Sequence, residues 1–507
     1  MNGRKLRRWR VFSALAVLLV FALWFLDLAQ AFPIGVFTVL RYIQLVPALQ
    51  LALSFSLGGV AALLLLLLSA LVFGRAYCSF LCPLGLLQDL MSRIRAWIRP
   101  RKRYPRQKAY RMLRYGMLLV FLVSLAAGSG VVTGLLDPYS WFGRIAFHLV
   151  RPPLTLLHNL AAWGMNSLGS FALNPVKFHG MAWAASGAAA AMLALLGVMV
   201  WNQGRQYCNT ICPVGTLLGL AGCKALLRVH FEKRACTACG LCAAACKAGC
   251  IDVKHKTVDH ERCVVCFNCL PSCAEGGIRY GRPQPATTDL TRRDLLVRAG
   301  STVLLPAVLK DPGEKARAKA VRLAPIAPPG ALSHPHLWER CTACHLCISA
   351  CPTGVLQPSL LEYGLGGLFQ PVMDPLTGYC NYECTRCTEV CPTGALQPLS
   401  ADEKKQVQIG RTRFIEELCV VTKDNTACGA CSEHCPTKAV NMIPWKGTLN
   451  IPNVDNSICV GCGACEYACP TTPRSIVVDG NPIHRVAERP KEIGEKAEEV
   501  EMEEFPF

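Results

Sequence analysis

Cysteines at short, repeated intervals are the residues of this sequence whose types and spacing could do chemistry. CTACGLCAAAC at 236–246 and CVVCFNCLPSC at 263–273 are followed by CTACHLCISACP (341–352), CNYECTRCTEVCP (380–392), CVVTKDNTACGACSEHCP (419–436) and CVGCGACEYACP (459–470). A C-x2-C-x2-C loop wraps three corners of a [4Fe-4S] cube, and a fourth thiolate from a partner run closes it. On that pattern Cys236, Cys239, Cys242 and Cys273 form one ligand set, and Cys263, Cys266, Cys269 and Cys246 another. The sixteen cysteines of the later runs supply four more sets, so the chain has ligands for about six cubes. Structural zinc also takes four thiolates, but it favours two separated C-x2-C knuckles over a continuous run. Each cube counted this way is ligated wholly by cysteine, which leaves no open iron for a substrate and suits electron carriage. Of the cysteines left over, Cys223 and Cys250 read as small buried hydrophobes.

A second cysteine pattern is sparser. GRAYCSFLCPLGLLQD at 74–89 nearly recurs as GRQYCNTICPVGTLLG at 204–219, so that Gly74, Arg75, Tyr77, Cys78, Cys82, Pro83, Gly85 and Leu87 match residues 130 positions later. An i, i+4 pair falls on one helical face, so Cys78, Cys82, Cys208 and Cys212 could converge. Three chemistries suit four such thiols: a further metal or iron-sulfur centre, a dithiol relay, or a copper site. Pro83 and Pro213 fit either a helix start or a break.

The elements that must position these residues are largely apolar. The chain has 507 residues, 52% of them hydrophobic, and a net charge of +19; its mean hydropathy is +0.30. That profile excludes an ordinary soluble enzyme. Four segments, 11–31, 50–74, 114–136 and 181–202, are long and apolar enough to cross a lipid core as helices. The N-terminus carries Arg4, Lys5, Arg7, Arg8 and Arg10, and the stretch 91–114 has ten Lys/Arg and no acid. The positive-inside rule puts both in the cytoplasm, with the two Cys pairs on that side. The N-terminal run reads as an uncleaved anchor. The aromatic, charge-poor loop after 136 faces out and lies partly along the interface. Basic loops against anionic lipid account for much of the charge, and no basic face with interleaved aromatics points to nucleic acid.

The resulting fold class is multi-domain: an α-helical membrane domain of about four transmembrane helices (1–230), an α+β ferredoxin-like two-cluster module (231–282), a linker (283–335), a four-cluster ferredoxin module (336–484) and an acidic tail (485–507). Within the linker, Arg292 and Arg293 precede a modest apolar stretch in the manner of a twin-arginine export signal. A working signal would place the first module in the cytoplasm and the second in the periplasm; an interfacial helix is the alternative.

Residues 70–275, with the two motifs above, LLDPYSWFGR at 135–144 and the two-cluster module, resemble NapH-type membrane ferredoxins, relatives of NosR and MauN. Residues 288–484, from TRRDLL through APPGALSHPHLWERCTACHLCISACP, resemble NapG-type exported ferredoxins, so the chain looks like the two fused. The inserted spacings at Cys380/Cys384 and Cys419/Cys428 resemble the four-cluster subunits of bacterial respiratory enzymes. That likeness implies the sets Cys341, Cys344, Cys347 with Cys469; Cys459, Cys462, Cys465 with Cys351; Cys380, Cys384, Cys387 with Cys435; and Cys419, Cys428, Cys431 with Cys391. The proline that usually follows the fourth cysteine is replaced by Lys247 and Ala274 in the first module.

The resemblance implies a bacterial inner-membrane, multi-pass electron-transfer subunit of quinol dehydrogenase type. It would pass electrons from the membrane quinol pool through [4Fe-4S] clusters to a redox partner, a periplasmic reductase or cytochrome. Asp137 and His148, with His158, are the polar groups at the outer interface placed to take a proton from quinol. No haem is indicated, because the spans contain no facing histidine pair. The rival expectation is a NosR/CcoG-like maturation factor that supplies electrons or reduces a metal while a metalloenzyme is assembled.

Overall fold

The computed structural model describes residues 3–26, 34–99, 104, 109–170, 172–176, 182–232, 235–282 and 322–489. The twin-arginine stretch at 292–293 and the tail beyond 489 lie outside the described residues.

The N-terminal half is helical: α1 Gly3–Phe25, α2 Ile34–Ile43, α3 Leu45–Leu53, α4 Leu57–Phe73, α5 Tyr77–Phe80, α6 Pro83–Ile98, α7 Arg111–Ala126, α8 Gly130–Leu136, α9 Pro138–Ile145, α10 Arg151–Ser167, α11 Trp183–Gln203, α12 Gln206–Thr210 and α13 Pro213–Gly222. Two of them, α1 and α11, are long and apolar enough to cross a membrane, while the apolar α4 has 17 residues. Two of the expected spans are each divided. The chain turns at Ser54–Ser56 between α3 and α4, and Gly128, at φ 68°, turns it between α7 and α8. Glycine reaches that left-handed region without a Cβ penalty.

Local chemistry sets the short helices. Asp137 caps α9, accepting from the amides of Tyr139 (3.1 Å) and Ser140 (3.0 Å), and Pro138 occupies the first helical position. Pro83 and Pro213 likewise begin α6 and α13, with Cys82 and Cys212 as their N-caps. Each proline therefore starts a helix. The residue before proline is driven to extended backbone, so Cys78 and Cys82 do not share one continuous helix face, and neither do Cys208 and Cys212.

The first cysteine-rich module pairs β1 (Arg228–Phe231) with β4 (Ile278–Gly281) and β2 (Ile251–Asp252) with β3 (Thr257–Val258), all antiparallel. The second pairs β5 (Leu356–Pro358) with β6 (Pro371–Met373), β7 (Val407–Phe414) with β10 (Ile476–Val486) and β8 (Val440–Pro444) with β9 (Asn450–Val454). Residues 322–335, assigned to the linker by composition, pack on this second module: Ile326 bridges Met373, and Ala327 and Ala331 are buried.

The two modules sit at opposite ends of the helical domain. At one end Gly3 lies against Leu270, Gly74 against Val265, and Arg114 and Tyr115 reach Glu261. At the other, Ser349 donates to the carbonyl of Phe25 (2.9 Å), Arg340 to Ser54 Oγ (2.8 Å), and Gly128 abuts Glu339. Helix α1 runs from the first of these contacts to the second, and its 23 residues span about 35 Å. Helix α7 makes the same traverse from Arg114 to Gly128.

Candidate iron-sulfur centres

In the first module Cys246, Cys263, Cys266 and Cys269 line one cavity, the set expected from the runs. Cys273, Cys236 and Cys239 are the electrostatic neighbours of Cys242. Cys250 is buried, as expected, and it also lines the same cavity, with its sulfur 3.5 Å from that of Cys246. A hydrogen bond from the Cys250 thiol brings Cys246 down to about 7, which favours the thiolate at the position where a ligand is wanted. Spacing alone hides this residue, because it falls outside the C-x2-C-x2-C-x3-C register. Cys223 is half-buried and donates to the Leu220 carbonyl.

The second module groups its cysteines differently from the respiratory-subunit resemblance. Cys391 is the neighbour acting on Cys341, Cys344 and Cys347. Cys351 shares a cavity with Cys380, Cys384 and Cys387. Cys435 acts on Cys459, Cys462 and Cys465, and Cys469 on Cys431. Consecutive runs, not outer and inner ones, thus exchange their fourth cysteines. The reason is local packing. Helix Leu346–Ala350, which ends at Cys351, packs on helix Arg386–Glu389, and helix Ala430–Glu433 packs on Ala464–Ala468. Each pair carries its terminal cysteine to the partner loop. The long insertion after Cys419 is taken up by helix Val420–Asp424 and a left-handed Asn425.

These sets fit cubes better than single ions. Thiolates around one zinc, at about 2.3 Å each, stand only about 3.8 Å apart. Among the described residues no three His, Cys, Asp or Glu side chains form a group that would hold one metal ion. A cavity remains inside two of the cysteine sets.

Cys78, Cys82, Cys208 and Cys212 are all buried and act on one another electrostatically. Two arginines, both fully buried, cross between the repeats. Arg75 donates to the Cys208 carbonyl (2.8 Å) and Arg205 to that of Cys78 (2.9 Å). Each also faces the sulfur of its own repeat, Arg75 Nη2 3.9 Å from Cys78 and Arg205 Nη1 3.7 Å from Cys208. Gly85 and Gly215 leave the space these guanidiniums occupy, for a Cβ at either would overlap the opposing arginine and a cysteine carbonyl. Gln88 Nε2 adds a contact to Cys208 Sγ at 3.4 Å. The repeat was legible in the sequence; the exchange of arginines between repeats was not.

Of the expected quinol-site residues, Asp137 caps α9 and also accepts from Ser140 Oγ (2.7 Å). His158, on exposed surface, meets the Asn174 carbonyl. His148 is buried and joins the second module, with Nε2 2.9 Å from His345 Nδ1, while His345 Nε2 lies 3.0 Å from the Phe369 carbonyl. A carbonyl only accepts, so His345 donates through Nε2 and accepts at Nδ1 from His148. That leaves the His148 Nδ1 lone pair facing the Ser186 hydroxyl at 3.4 Å. Burial, with Arg144 nearby, lowers His148 to about 4 and holds His345 well below the usual histidine value, so both are neutral at pH 7. His345 occupies a left-handed backbone position between Cys344 and Leu346, inside a cysteine run. No sequence signal marks it.

Comparison with known proteins finds 4Fe-4S families in both halves of the chain. A 4Fe-4S binding domain family matches residues 55–105 and again 184–233, the two membrane repeats. Families of 4Fe-4S dicluster domains match 259–355, 340–396 and 425–472; the last two coincide with the two consecutive pairs of runs. The ferredoxin-type protein NapH of Haemophilus influenzae is 26% identical over 54% of this chain and 88% of its own length. The methylamine utilization ferredoxin-type protein MauN of Paracoccus denitrificans is 30% identical over 37% of this chain and 53% of its own. An uncharacterized protein of Methanocaldococcus jannaschii, MJ0750, is 25% identical over 44% of this chain and 78% of its own. The chain thus spans about half the length of that MauN, and no solved structure matches it. It is an iron-sulfur electron-transfer protein similar to NapH and MauN.

Proposed function

We propose that this protein, resembling NapH and MauN in its membrane half, takes electrons from membrane quinol and delivers them through its second module to a reductase on the outer side. The supporting observation is the seat of Cys341, Cys344, Cys347 and Cys391. Their loop rests on α8 and α9, where Arg144 donates to the carbonyls of Ala343 (2.9 Å) and Thr342 (3.1 Å) and His148 bonds His345. A bound [4Fe-4S] cube supplies one-electron carriage. The protein residues supply the rest. His148 offers a neutral imidazole nitrogen at the head of α11, beside the first cysteine set, and is the group best placed to accept a quinol proton. Onward relay has a structural basis, since the amide of Cys380 donates to the carbonyl of Cys462 (2.9 Å) and so joins the two dicluster units. The four-span topology and the outward placement of the second module belong to the same proposal.

The test is anaerobic reduction of the detergent-solubilised chain by a quinol analogue, followed by EPR. Rapid reduction is expected, slowed about a hundredfold in His148→Asn with iron content unchanged. Intact clusters that the analogue fails to reduce would overturn the reading.

A further inference from the structure

Four thiolates complete a cube, yet five cysteines line one cavity of the first module. Cys246, Cys263, Cys266 and Cys269 are the ligand set, and the buried Cys250 is the fifth. We propose that Cys250 stays a protonated thiol, donates a hydrogen bond to the ligating sulfurs of Cys246 and Cys263, and so raises the reduction potential of the cube they hold. The inference goes beyond the quinol reading and stands on the iron-sulfur identity of the chain alone.

Backbone geometry holds the donor between two ligand loops. Gly249, at φ 57°, turns the chain after Cys246, and its amide donates to the Cys246 carbonyl (3.2 Å). The Cys250 carbonyl accepts from the amide of Asp259 (2.8 Å), and the Asp259 carbonyl accepts from the amide of Cys263 (3.0 Å). Strand β2 begins at the next residue, Ile251, and pairs with β3. The Cys250 sulfur is thereby set 3.5 Å from that of Cys246 and in hydrogen-bond contact with Cys263. A sulfur that ligates iron carries no proton and only accepts, so the donor is Cys250. The rest of the wall is apolar, with Val229, Val258 and Phe267, and the side chains it offers as acceptors are the ligand sulfurs.

The second module shows what this thiol replaces. There a threonine follows the last cysteine of each run by two residues, and the hydroxyls of Thr353, Thr393, Thr437 and Thr471 lie 3.2–3.8 Å from those sulfurs. In the first module Ala248 and Glu275 stand at the equivalent places after Cys246 and Cys273. Cys273 accepts instead from the backbone amide of Gly277 (3.1 Å), and Cys246 has Cys250. The tuned centre is the one against the helical domain, for Ser79 donates to the carbonyl of Val264 and Asn209 to that of Ala248 (3.1 Å).

The physical effect follows from charge. Reduction adds one negative charge to a cube, and hydrogen bonds to its sulfurs stabilise the reduced form. An external reductant loses one electron and the cube gains it; the S–H bond stays intact and no proton moves. Cys250 is therefore a positioning residue that acts through two ligands.

The experiment is an anaerobic redox titration of the full chain in detergent, with dithionite as reductant and EPR as readout, beside iron and sulfide assays. Cys250→Val, which fills the space without a donor, should keep wild-type iron and sulfide. It should lower the midpoint of one centre by a tenfold change in reduced-to-oxidised ratio, ~59 mV for a one-electron couple, while the other centres hold theirs. Cys250→Ala should do the same with less bulk. Cys250→Ser, which keeps a hydroxyl donor, should recover at least half of the shift. A midpoint unmoved in both apolar variants, or a shift that serine does not reduce, would overturn the proposal. Loss of about four iron per chain from any of the three would overturn it as well, by making Cys250 a ligand.

Discussion

Both ferredoxin modules are built from closely spaced cysteine runs, yet their contacts with the helical domain differ in emphasis. At the first module the contacts centre on one carboxylate. Asp89, nearly buried, takes Arg205 through two oxygens (2.9 Å each), Lys247 at 3.4 Å, and Arg10 as well, so α1, α6, the turn before α12 and the module converge on one carboxylate. At the second module close backbone approach stands beside the hydrogen bonds of Arg144 and Arg340. Gly130, Gly134 and Gly143 face the carbonyls of Trp338 and Cys341, Thr342, and Cys344, where any Cβ would overlap. A charged clamp is strong but fails as a unit when one partner goes. A glycine seat spreads its energy over many small contacts.

Three measurements would break or sharpen that contrast. Asp89→Ala leaves the buried Arg10 and Arg205 without their carboxylate and should cost about 3–5 kcal/mol, read as a fall in thermal unfolding temperature in detergent, with the first module's EPR signals lost before those of the second. Equal loss of both sets would dissolve the distinction. Acid should act on the other side. The His148 value falls from 6.5 in the unfolded chain to about 4 in the fold, so between those values the unfolded state binds more protons and stability falls with falling pH. The linkage amounts to about 3 kcal/mol at most. Protease access to the second module should rise between pH 6.5 and 4, and His148→Asn should lessen that rise, the remainder coming from His334, His336, His345 and His484, which burial also lowers. Gly134→Ala should cost about 1–3 kcal/mol, partly offset by alanine's better helix propensity, and should loosen the outer module while the inner cysteine environment is unchanged.

Much of this was legible in the sequence because cluster ligation is local. The C-x2-C-x2-C loops bring three cysteines of a set together by spacing, and the grouping of Cys246 with Cys263, Cys266 and Cys269 was expected from the runs. The duplicated Gly-Arg-x-Tyr-Cys motif was equally plain. The partner of each fourth cysteine was not, because it depends on which short helices pack together, and in the second module consecutive runs pair. The joining of Cys250 to its neighbours' cage and of His345 to His148 also escaped, since neither lies in a register that ligation requires.

Residue types and intervals along the chain determined the cofactor class, the apolar helices and the internal repeat, for each of these is set by a few neighbouring positions. Only the tertiary structure decided that Arg75 and Arg205 cross between repeats, that the modules cap opposite ends of one bundle, and that four buried sulfurs lie between them. Those relations join residues more than a hundred positions apart, where side-chain packing and charge compensation, rather than local spacing, select the partner.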